Sequence, residues 1–567
     1  MAMSVPHDLL DTARAWREAD PDDDTQAELG ELLRQAESGD LDAEADLADR
    51  FGGRLTFGTA GLRGEMGAGP RRMNRLVVRQ AAAGLARWLG PGATVVIGFD
   101  ARHKSDVFAH DTARVLAAAG LRAQLFPATC PTPVLAFAIR ALGADAGVMC
   151  TASHNPARDN GYKVYLGDGA QIIPPVDAEI AAAIEAVAAA GPIAVAAEDD
   201  PAIERIGDDV AESYLDHVVG LVQPGPRVLR IVYTPMHGVG GAVAVEALGR
   251  AGFTDVHEVV DQAQPDPDFP TVAFPNPEEP GALDLAAELA RRVGADVVIA
   301  NDPDADRLGV MVADGAGHYV ALNGNQIGAL LGERVLATST GDDRLVVTTF
   351  VSSHLLARMA KAEGVHYAEV PTGFKWVVRP GLTSPELHFV FGFEEALGFS
   401  VDEAVRDKDG ISAGLRFAEL SAVAKAEGRT VWDTLEVLAR RHGEHTTRTW
   451  SWRIDEPDGL GRIAAAMAAV RAAPPNALAA TPVERVSDLL DGDGSLPPTD
   501  ALVVELADGS RVALRPSGTE PKLKVYVEVV EPVGDDTYAV ARQRGQARVD
   551  ALIEAVATVL GVDSSCP

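Results

Sequence analysis

GADAGVMCTASHNP, residues 143–156, and GADVVIANDPDADR, residues 294–307, share one plan. Each opens on Gly-Ala-Asp, runs through a short apolar stretch and ends in a polar loop. Working outward, each closes a longer repeat. The first repeat opens with the apolar run 94–99, TVVIGF. A polar loop follows, then a helix from about Ser105, read as its N-cap, to Gly120, read as its stop. A strand near 121–126 and a helix near 134–142 lead to the closing strand 146–150. The second repeat opens at 229–233, passes the loop TPMHGVGG and has a helix stopping at Gly252. A strand near 256–260 and a helix near 283–293 precede its closing strand, 297–300. A third repeat has a strand at 345–349, a helix at 353–364, a strand at 366–370 and a closing strand at 387–391. That strand runs into GFEEALGF, and the second helix of this repeat is weakly marked.

Short apolar strands alternating with helices predict parallel α/β layers. Ligands gather at the carboxyl ends of strands in such sheets, so the three closing loops are where chemistry is expected. One duplicated scaffold with three different loops suggests three different jobs. The C-terminal region reads as a separate α+β domain. It has a hairpin over 502–514 turning at Asp508-Gly509, the loop RPSGTEPK, a strand over 523–530 and a final helix over 538–560. The acidic first fifty residues read as a helical extension without an assigned role. The boundaries so drawn are 1–218, 219–325, 326–446 and 447–567.

The net charge of −33 argues against nucleic acid and against anionic membranes, both of which call for a cationic surface. A small phosphorylated substrate needs only a local cluster of Arg and Lys. Three cysteines, Cys130, Cys150 and Cys566, suggest neither a disulfide framework nor a zinc site, and a reducing cytoplasm is expected. The N-terminal sequence lacks a signal-peptide pattern, and no run of about 18 apolar residues predicts a membrane span.

The loops carry complementary chemistry. In NDPDADR, Asp302, Asp304 and Asp306 stand two apart, so alternation can turn three hard oxygen ligands to one point, as Mg²⁺ or Ca²⁺ requires. Arg307 and Ala313 stand where an EF-hand needs Gly and Glu. TASHNP offers Ser153 as nucleophile or phosphate carrier; neighbours in an extended segment point opposite ways, so His154 need not activate it. GFEEALGF offers Glu394 and Glu395, and a carboxylate can accept from two vicinal sugar hydroxyls. RPSGTEPK offers Arg515, Ser517, Gly518, Thr519 and Lys522 as an anion cradle. FGTAGLRG, residues 57–64, adds Arg63 in a glycine-rich segment. Singly, each loop also reads as an ordinary turn or as solvated acids. Together they are the parts for phosphoryl transfer on a sugar.

FGTAGLRG, TASHNP with NGYK, DPDADR, GFEEALG and RPSGTEPK, in that order, resemble the motifs of the α-D-phosphohexomutase superfamily, which includes phosphoglucomutase and phosphomannomutase. The form GFEEALG is most similar to the phosphoglucomutase-2-like branch; some members carry Ser where Ala396 stands here. The resemblance implies four domains around a central cleft, three of them related α/β units with mixed sheets. It implies a phosphorylated Ser153, and Mg²⁺ held by Asp302, Asp304, Asp306 and the Ser153 phosphate. Arg307 would contact that phosphate. Lys163 and His154 would be proton-transfer candidates, Lys163 first, with Arg63 in the active-site segment. Glu394 would grip the sugar, with Glu395 beside it; Thr372, Gly373 and Lys408 would add contacts. Arg515, Ser517, Gly518 and Thr519 would hold the non-reacting phosphate. The implied reaction moves a phosphoryl group between C1 and C6 of glucose or mannose, with glucose 1,6-bisphosphate as activator, in a monomer or homodimer. Phosphopentomutase or bisphosphate synthase activity is the alternative within the family. A phosphatase or a non-catalytic sugar-phosphate sensor is the alternative outside it.

Overall fold

The structure, a computed structural model, describes residues 7–56, 61–454, 456, 458–492, 496–517 and 521–563. The acidic N-terminal extension folds into three helices, α1 (His7–Ala19), α2 (Asp23–Glu37) and α3 (Leu41–Phe51). Its carboxylates serve as caps: Asp22 accepts from Asp24 N, and Asp40 accepts from Asp42 N and Ala43 N. Leu10, Trp16, Leu29, Leu33 and Leu47 pack with Ala68, Leu76 and Val77, which precede the first repeat, so the extension has a core.

The first sheet contains β1 (Leu62–Glu65), β2 (Thr94–Phe99), β3 (Arg122–Leu125), β4 (Ala146–Cys150), β5 (Asp159–Leu166) and β6 (Ile203–Arg205). Its order is β1-β5-β4-β2-β3-β6. The apolar runs β2 and β4 are fully buried and parallel, as their unbroken hydrophobicity predicts. The sheet is mixed, because β5 pairs antiparallel with both β4 and β1. Helices α4 (Arg75–Leu89) and α5 (Ser105–Ala118) contribute to the core that covers it. Phe99 lies opposite Cys150, so the loops after β2 and β4 leave the sheet side by side.

The second sheet, β11-β10-β9-β7-β8, is also mixed. Its strands are β7 (Arg230–Thr234), β8 (Asp255–Glu258), β9 (Val297–Ala300), β10 (Gly309–Ala313) and β11 (Tyr319–Ala321). β7, β8 and β9 are parallel, whereas β10 runs antiparallel to β9 and β11. Thr234 lies opposite Ala300, which places TPMHGVGG beside NDPDADR. In the third repeat β12 (Arg344–Thr349) pairs in parallel with β13 (His366–Val370) and β14 (His388–Glu394). The weakly marked helix is two short pieces, Phe374–Val377 and Arg379–Thr383, the second with Pro380 in its first turn. Neither is long enough to show a helical period. Glu394 is the last residue of β14, so the acid pair starts at a strand end rather than on a helix.

A short strand β15 (Gly398–Ser400) follows. The C-terminal sheet is antiparallel, in the order β16-β21-β20-β19-β18-β17. It comprises β16 (Glu444–Arg453), β17 (Ala477–Leu478), β18 (Thr481–Asp488), β19 (Leu502–Leu506), β20 (Arg511–Pro516) and β21 (Lys522–Glu531). The expected β19–β20 hairpin turns at Gly509, whose φ of +80° suits glycine. Helices Gly459–Ala472 and Tyr538–Leu560 contribute Ile463, Met467, Val549 and Ile553 to its core.

By contacts the chain divides into two compact units. One comprises Met1–Leu322 with Gly398–Glu419, the other Asn323–Leu397 with Leu420–Pro567. Residues 398–419, inside the expected third domain, thus pack with the first two repeats. No helix among the described residues is long and apolar enough to cross a membrane. Cys130 and Cys150 are buried free thiols, and burial pushes Cys130 up to about 12.

Candidate active site

The loop after β4 is built around Asp100 at the end of β2. Asp100 accepts from Thr151 Oγ1 and Ser105 Oγ, each at 2.6 Å, and from Arg102 N at 3.1 Å. Ser105, expected as a helix cap, spends its hydroxyl on Asp100, and the residue preceding α5 is Lys104 in a left-handed conformation. Thr151 Oγ1 in turn accepts from Ser153 N at 2.8 Å. Ser153 is left-handed, with φ +54°. That turn defeats extended alternation and brings the two neighbouring side chains together. Ser153 Oγ lies 3.1 Å from His154 Nδ1 and donates to Asp302 Oδ2 at 2.8 Å. Burial, with Arg307 and Arg63 nearby, pushes His154 well below the usual imidazole range.

The three aspartates do converge, with one oxygen of each within 4.8 Å of the others, and all are buried. They converge through a turn, with Ala305 at φ +58°, rather than by strand alternation. TPMHGVGG shapes this turn: Val239 N donates to Pro303 O at 2.8 Å, and a Cβ on Gly238 would lie 2.4 Å from Pro303 Cα. Asp302 accepts from Arg307 N at 3.0 Å, and Asp304 from Thr132 Oγ1 at 2.6 Å. Lys163, on β5 and wholly buried, donates to Asp304 Oδ2 at 2.7 Å and Asp306 Oδ2 at 2.8 Å. Lys408 Nζ is 3.3 Å from Asp306. Burial and the two neighbouring carboxylates push Asp302 well above the usual carboxylate range. Against burial, Lys163, Lys408 and Arg307 hold Asp306 far below it. Burial would lower Lys163, yet Asp304 and Asp306 hold its ammonium above the usual range.

Lys408 is brought here by residues 398–419. Asp407 accepts from Tyr165 OH and Gln171 Nε2, each at 2.7 Å. Asp409 accepts from Tyr214 OH at 2.9 Å and caps the helix beginning at Gly410; burial pushes Asp409 up to about 6. Gly410 lies so close to the aspartate turn that a Cβ would meet Arg307 O at 2.2 Å. Arg307 reaches Glu278 at 3.6 Å. Arg63, on β1, is half-buried and lies within the field of all three aspartates.

A divalent cation fits this donor set. Asp304 Oδ1 and Asp306 Oδ1 are buried and have no hydrogen-bond partner among the described residues, the condition of hard oxygens reserved for a metal. They share the locus with Ser153 Oγ through Asp302.

The second unit brings another set together. Glu395 accepts from Thr349 Oγ1 and Ser352 Oγ at 3.3 Å, and its N–H donates to Ser352 Oγ at 3.1 Å. Arg515, at the end of β20, lies close enough to Tyr526 of β21 for its charge to act on the phenol. Burial and the fields of Glu395 and Glu394 push the Tyr526 phenol up, so the acid pair and Arg515 share one environment. Gly373, at φ +104°, precedes the short helix Phe374–Val377, with Thr372 before it. Ser517 N donates to Lys522 O at 2.8 Å, closing the loop base. Gly518 and Thr519, like Phe57–Ala60 of FGTAGLRG, lie outside the described residues.

Asp100, Arg102, Thr132, Asp407 and Tyr526 were not singled out from sequence. For Asp100 and Arg102 a signal existed, since they follow the carboxyl end of β2. Thr132 and Asp407 bond partners more than a hundred positions away, and Tyr526 reaches the field of Glu395 across a comparable gap.

Comparison with known proteins agrees. Family models for phosphoglucomutase/phosphomannomutase match in order: α/β/α domain I over 54–190, domain II over 212–315, domain III over 323–441 and the C-terminal domain over 453–544. A Haemophilus influenzae protein named probable phosphomannomutase is 43% identical over 463 residues, covering 80% of this chain and 93% of its own. A Staphylococcus aureus phosphoglucomutase is 37% identical over 507 residues, covering 86% and 92%. A solved phosphoglucomutase/phosphomannomutase family structure from Burkholderia thailandensis superimposes with a TM-score of 0.65 at 21% identity, over 87% of this chain and 96% of that one, and so shares the fold. Repeated α/β units with a C-terminal antiparallel domain, matched in this order, define a phosphosugar isomerase. The chain belongs to the phosphoglucomutase/phosphomannomutase family of α-D-phosphohexomutases.

Proposed function

We propose that this enzyme interconverts hexose 1-phosphate and hexose 6-phosphate, for glucose and mannose, with Ser153 as the phosphoryl carrier. The observation that carries the reading is Ser153 Oγ donating to Asp302 inside a buried carboxylate triad flanked by two lysines. Phosphorylated Ser153 transfers its group to the free hydroxyl of the substrate, giving a 1,6-bisphosphate. The bisphosphate turns over, and the other phosphoryl group returns to Ser153. Asp302, Asp304, Asp306 and the serine phosphate would hold Mg²⁺, which offsets charge on the transferring group when bound. Arg307 and Arg63 add cationic groups around the serine. Two groups are assigned to proton transfer: His154, in contact with Ser153 Oγ, and Lys163, whose ammonium is shared by Asp304 and Asp306.

Glu394 and Glu395 would grip sugar hydroxyls, and Arg515, Ser517, Gly518 and Thr519 the non-reacting phosphate. Thr372, Gly373 and Lys408 complete the substrate contacts, and glucose 1,6-bisphosphate serves as activator. GFEEALG, with Ala396, supports placement near the phosphoglucomutase-2-like branch. Domain limits at 1–218, 219–325, 326–446 and 447–567 accompany this reading.

The test is a coupled assay with Mg²⁺, a trace of glucose 1,6-bisphosphate, and glucose 1-phosphate or mannose 1-phosphate, with Ser153→Ala alongside. Formation of the 6-phosphate, abolished in the variant, is expected. Release of free phosphate, or undiminished turnover by Ser153→Ala, defeats the proposal.

A further inference from the structure

We propose that Arg102 is the positioning residue of the Ser153 loop, and that α1–α3 hold it in register through Lys104; this rests on the reading of Ser153 as phosphoryl carrier. A left-handed serine costs roughly 1–2 kcal/mol, so something around it must hold the loop. Arg102 does so. Its side chain is wholly buried. Nη2 donates to Ser153 O at 2.6 Å and to Asn155 O; Nη1 donates to Pro156 O at 2.7 Å and Asp159 O at 3.1 Å. Four carbonyls of one loop thus converge on one guanidinium. The planar fork suits this, whereas the three donors of a lysine radiate from one atom. Arg102 is braced in turn, with Asp100 3.4 Å from Nε and the Phe269 ring 4.9 Å from its guanidinium carbon.

Two residues on, Lys104 is left-handed, with φ +61°, and lacks a side-chain cap bond to α5. Its ammonium reaches out of the repeat to Asp22 Oδ2 at 2.6 Å and Asp24 Oδ2 at 3.0 Å, at the start of α2. The N-terminal helices reach the neighbouring turn too: Glu28 accepts from Ala68 N at 3.0 Å, just after β1. Arg75, the first residue of α4, donates to Pro21 O at 3.2 Å while pairing with Asp111. The extension therefore grips the turns after both β1 and β2. The family match begins at residue 54, so this grip is supplied by residues ahead of the family domain.

The reasoning predicts a defect in turnover rather than in binding. Displacing a reacting group by about 1 Å costs about a hundredfold in rate, and Arg102→Lys should lower kcat by about that factor with KM little changed. Lys104→Met, and Asp22→Asn, which keeps the helix cap, should each lower kcat by a smaller factor. Because they act through Arg102, Lys104→Met should add almost nothing in the Arg102→Lys background. The measurements are kcat and KM for hexose 1-phosphate, the single-turnover rate of phosphoryl transfer from glucose 1,6-bisphosphate to Ser153, and melting temperature. Wild-type kcat in Arg102→Lys overturns the proposal. So does a Lys104→Met protein that melts lower but turns over fully, or multiplicative losses in the double variant. If Arg102→Lys does not fold, a kcat loss without a KM change in Lys104→Met and Asp22→Asn supports the proposal, and its absence refutes it. Ser153→Ala runs beside them, and turnover surviving there sinks the underlying reading, whatever Arg102 does.

Discussion

Replacing Lys163 with Met probes the charge balance of the triad. The lysine is fully buried, and its ammonium bonds Asp304 at 2.7 Å and Asp306 at 2.8 Å. Met keeps the volume and the apolar stem, so packing changes little. Removing one partner of a buried ion pair costs about 3–5 kcal/mol, because the remaining charge is left uncompensated. The unit that holds the site has about 340 residues. At about 2.1 cal/mol/K of unfolding entropy per residue, roughly 0.7 kcal/mol corresponds to one degree. Without divalent cation, the variant should melt about 4–7 °C below the parent. Mg²⁺ should narrow that gap. Lys163 and the cation compete for the same carboxylates, so losing one tightens the other. Bound ligand stabilises by RT ln(1 + [L]/Kd), and a tenfold tighter Kd recovers about 1.4 kcal/mol, or about 2 °C. Calorimetry in EDTA and across a MgCl₂ series measures both effects. A gap that is absent in EDTA, or that stays constant as Mg²⁺ rises, refutes the reasoning.

Three further outcomes are expected. Gly410→Ala places a Cβ 2.2 Å from Arg307 O, so overpacking should cost about 1–3 kcal/mol and lower kcat together with stability; calorimetry and the coupled assay check this. Glu394→Gln removes a charged acceptor from a half-buried strand end, and kcat/KM should fall about tenfold to a hundredfold while melting is unchanged. His217 is held above the usual imidazole range by its bond to Asp402, against partial burial. A raised folded pKa means the pair's stabilisation is fully present below about pH 6.5 and is lost as pH climbs through the raised value. His217→Gln should flatten that decline, which melting curves across pH 5.5–9 would show; an unchanged pH profile removes the pair as its source.

The repeat was legible because buried parallel strands are unbroken apolar runs, and β2, β4, β7, β9 and β12 fall close to where those runs stand. The antiparallel additions β1, β5 and β11 were not legible, and β10, legible as the apolar strand after the aspartate loop, gave no sign of its antiparallel direction, since pairing direction leaves little mark on a short strand. The aspartates were found by spacing, but the reason given for their convergence was wrong, because Ala305 turns left-handed and spacing cannot show that. The same blindness hid the contact between Ser153 and His154. Arg102, bonded to carbonyls more than fifty positions away, and Asp407, bonded to Tyr165 across 242 positions, depend on tertiary proximity that no local pattern records.

The packing of residues 398–419 with the first unit has a consequence for synthesis on the ribosome. The chain emerges from its N-terminus at roughly 5–20 residues per second. Asp306 leaves about a hundred residues ahead of Lys408, an interval of roughly 5–20 s. During it, Lys163 is available to Asp306 while Lys408, Tyr165's partner Asp407 and Tyr214's partner Asp409 are still unmade. The first two repeats therefore wait for a piece translated after most of the third before their own charges balance. A pause or truncation before residue 398 should leave a nascent intermediate with an undercompensated acidic centre, the kind of species that holdase chaperones retain.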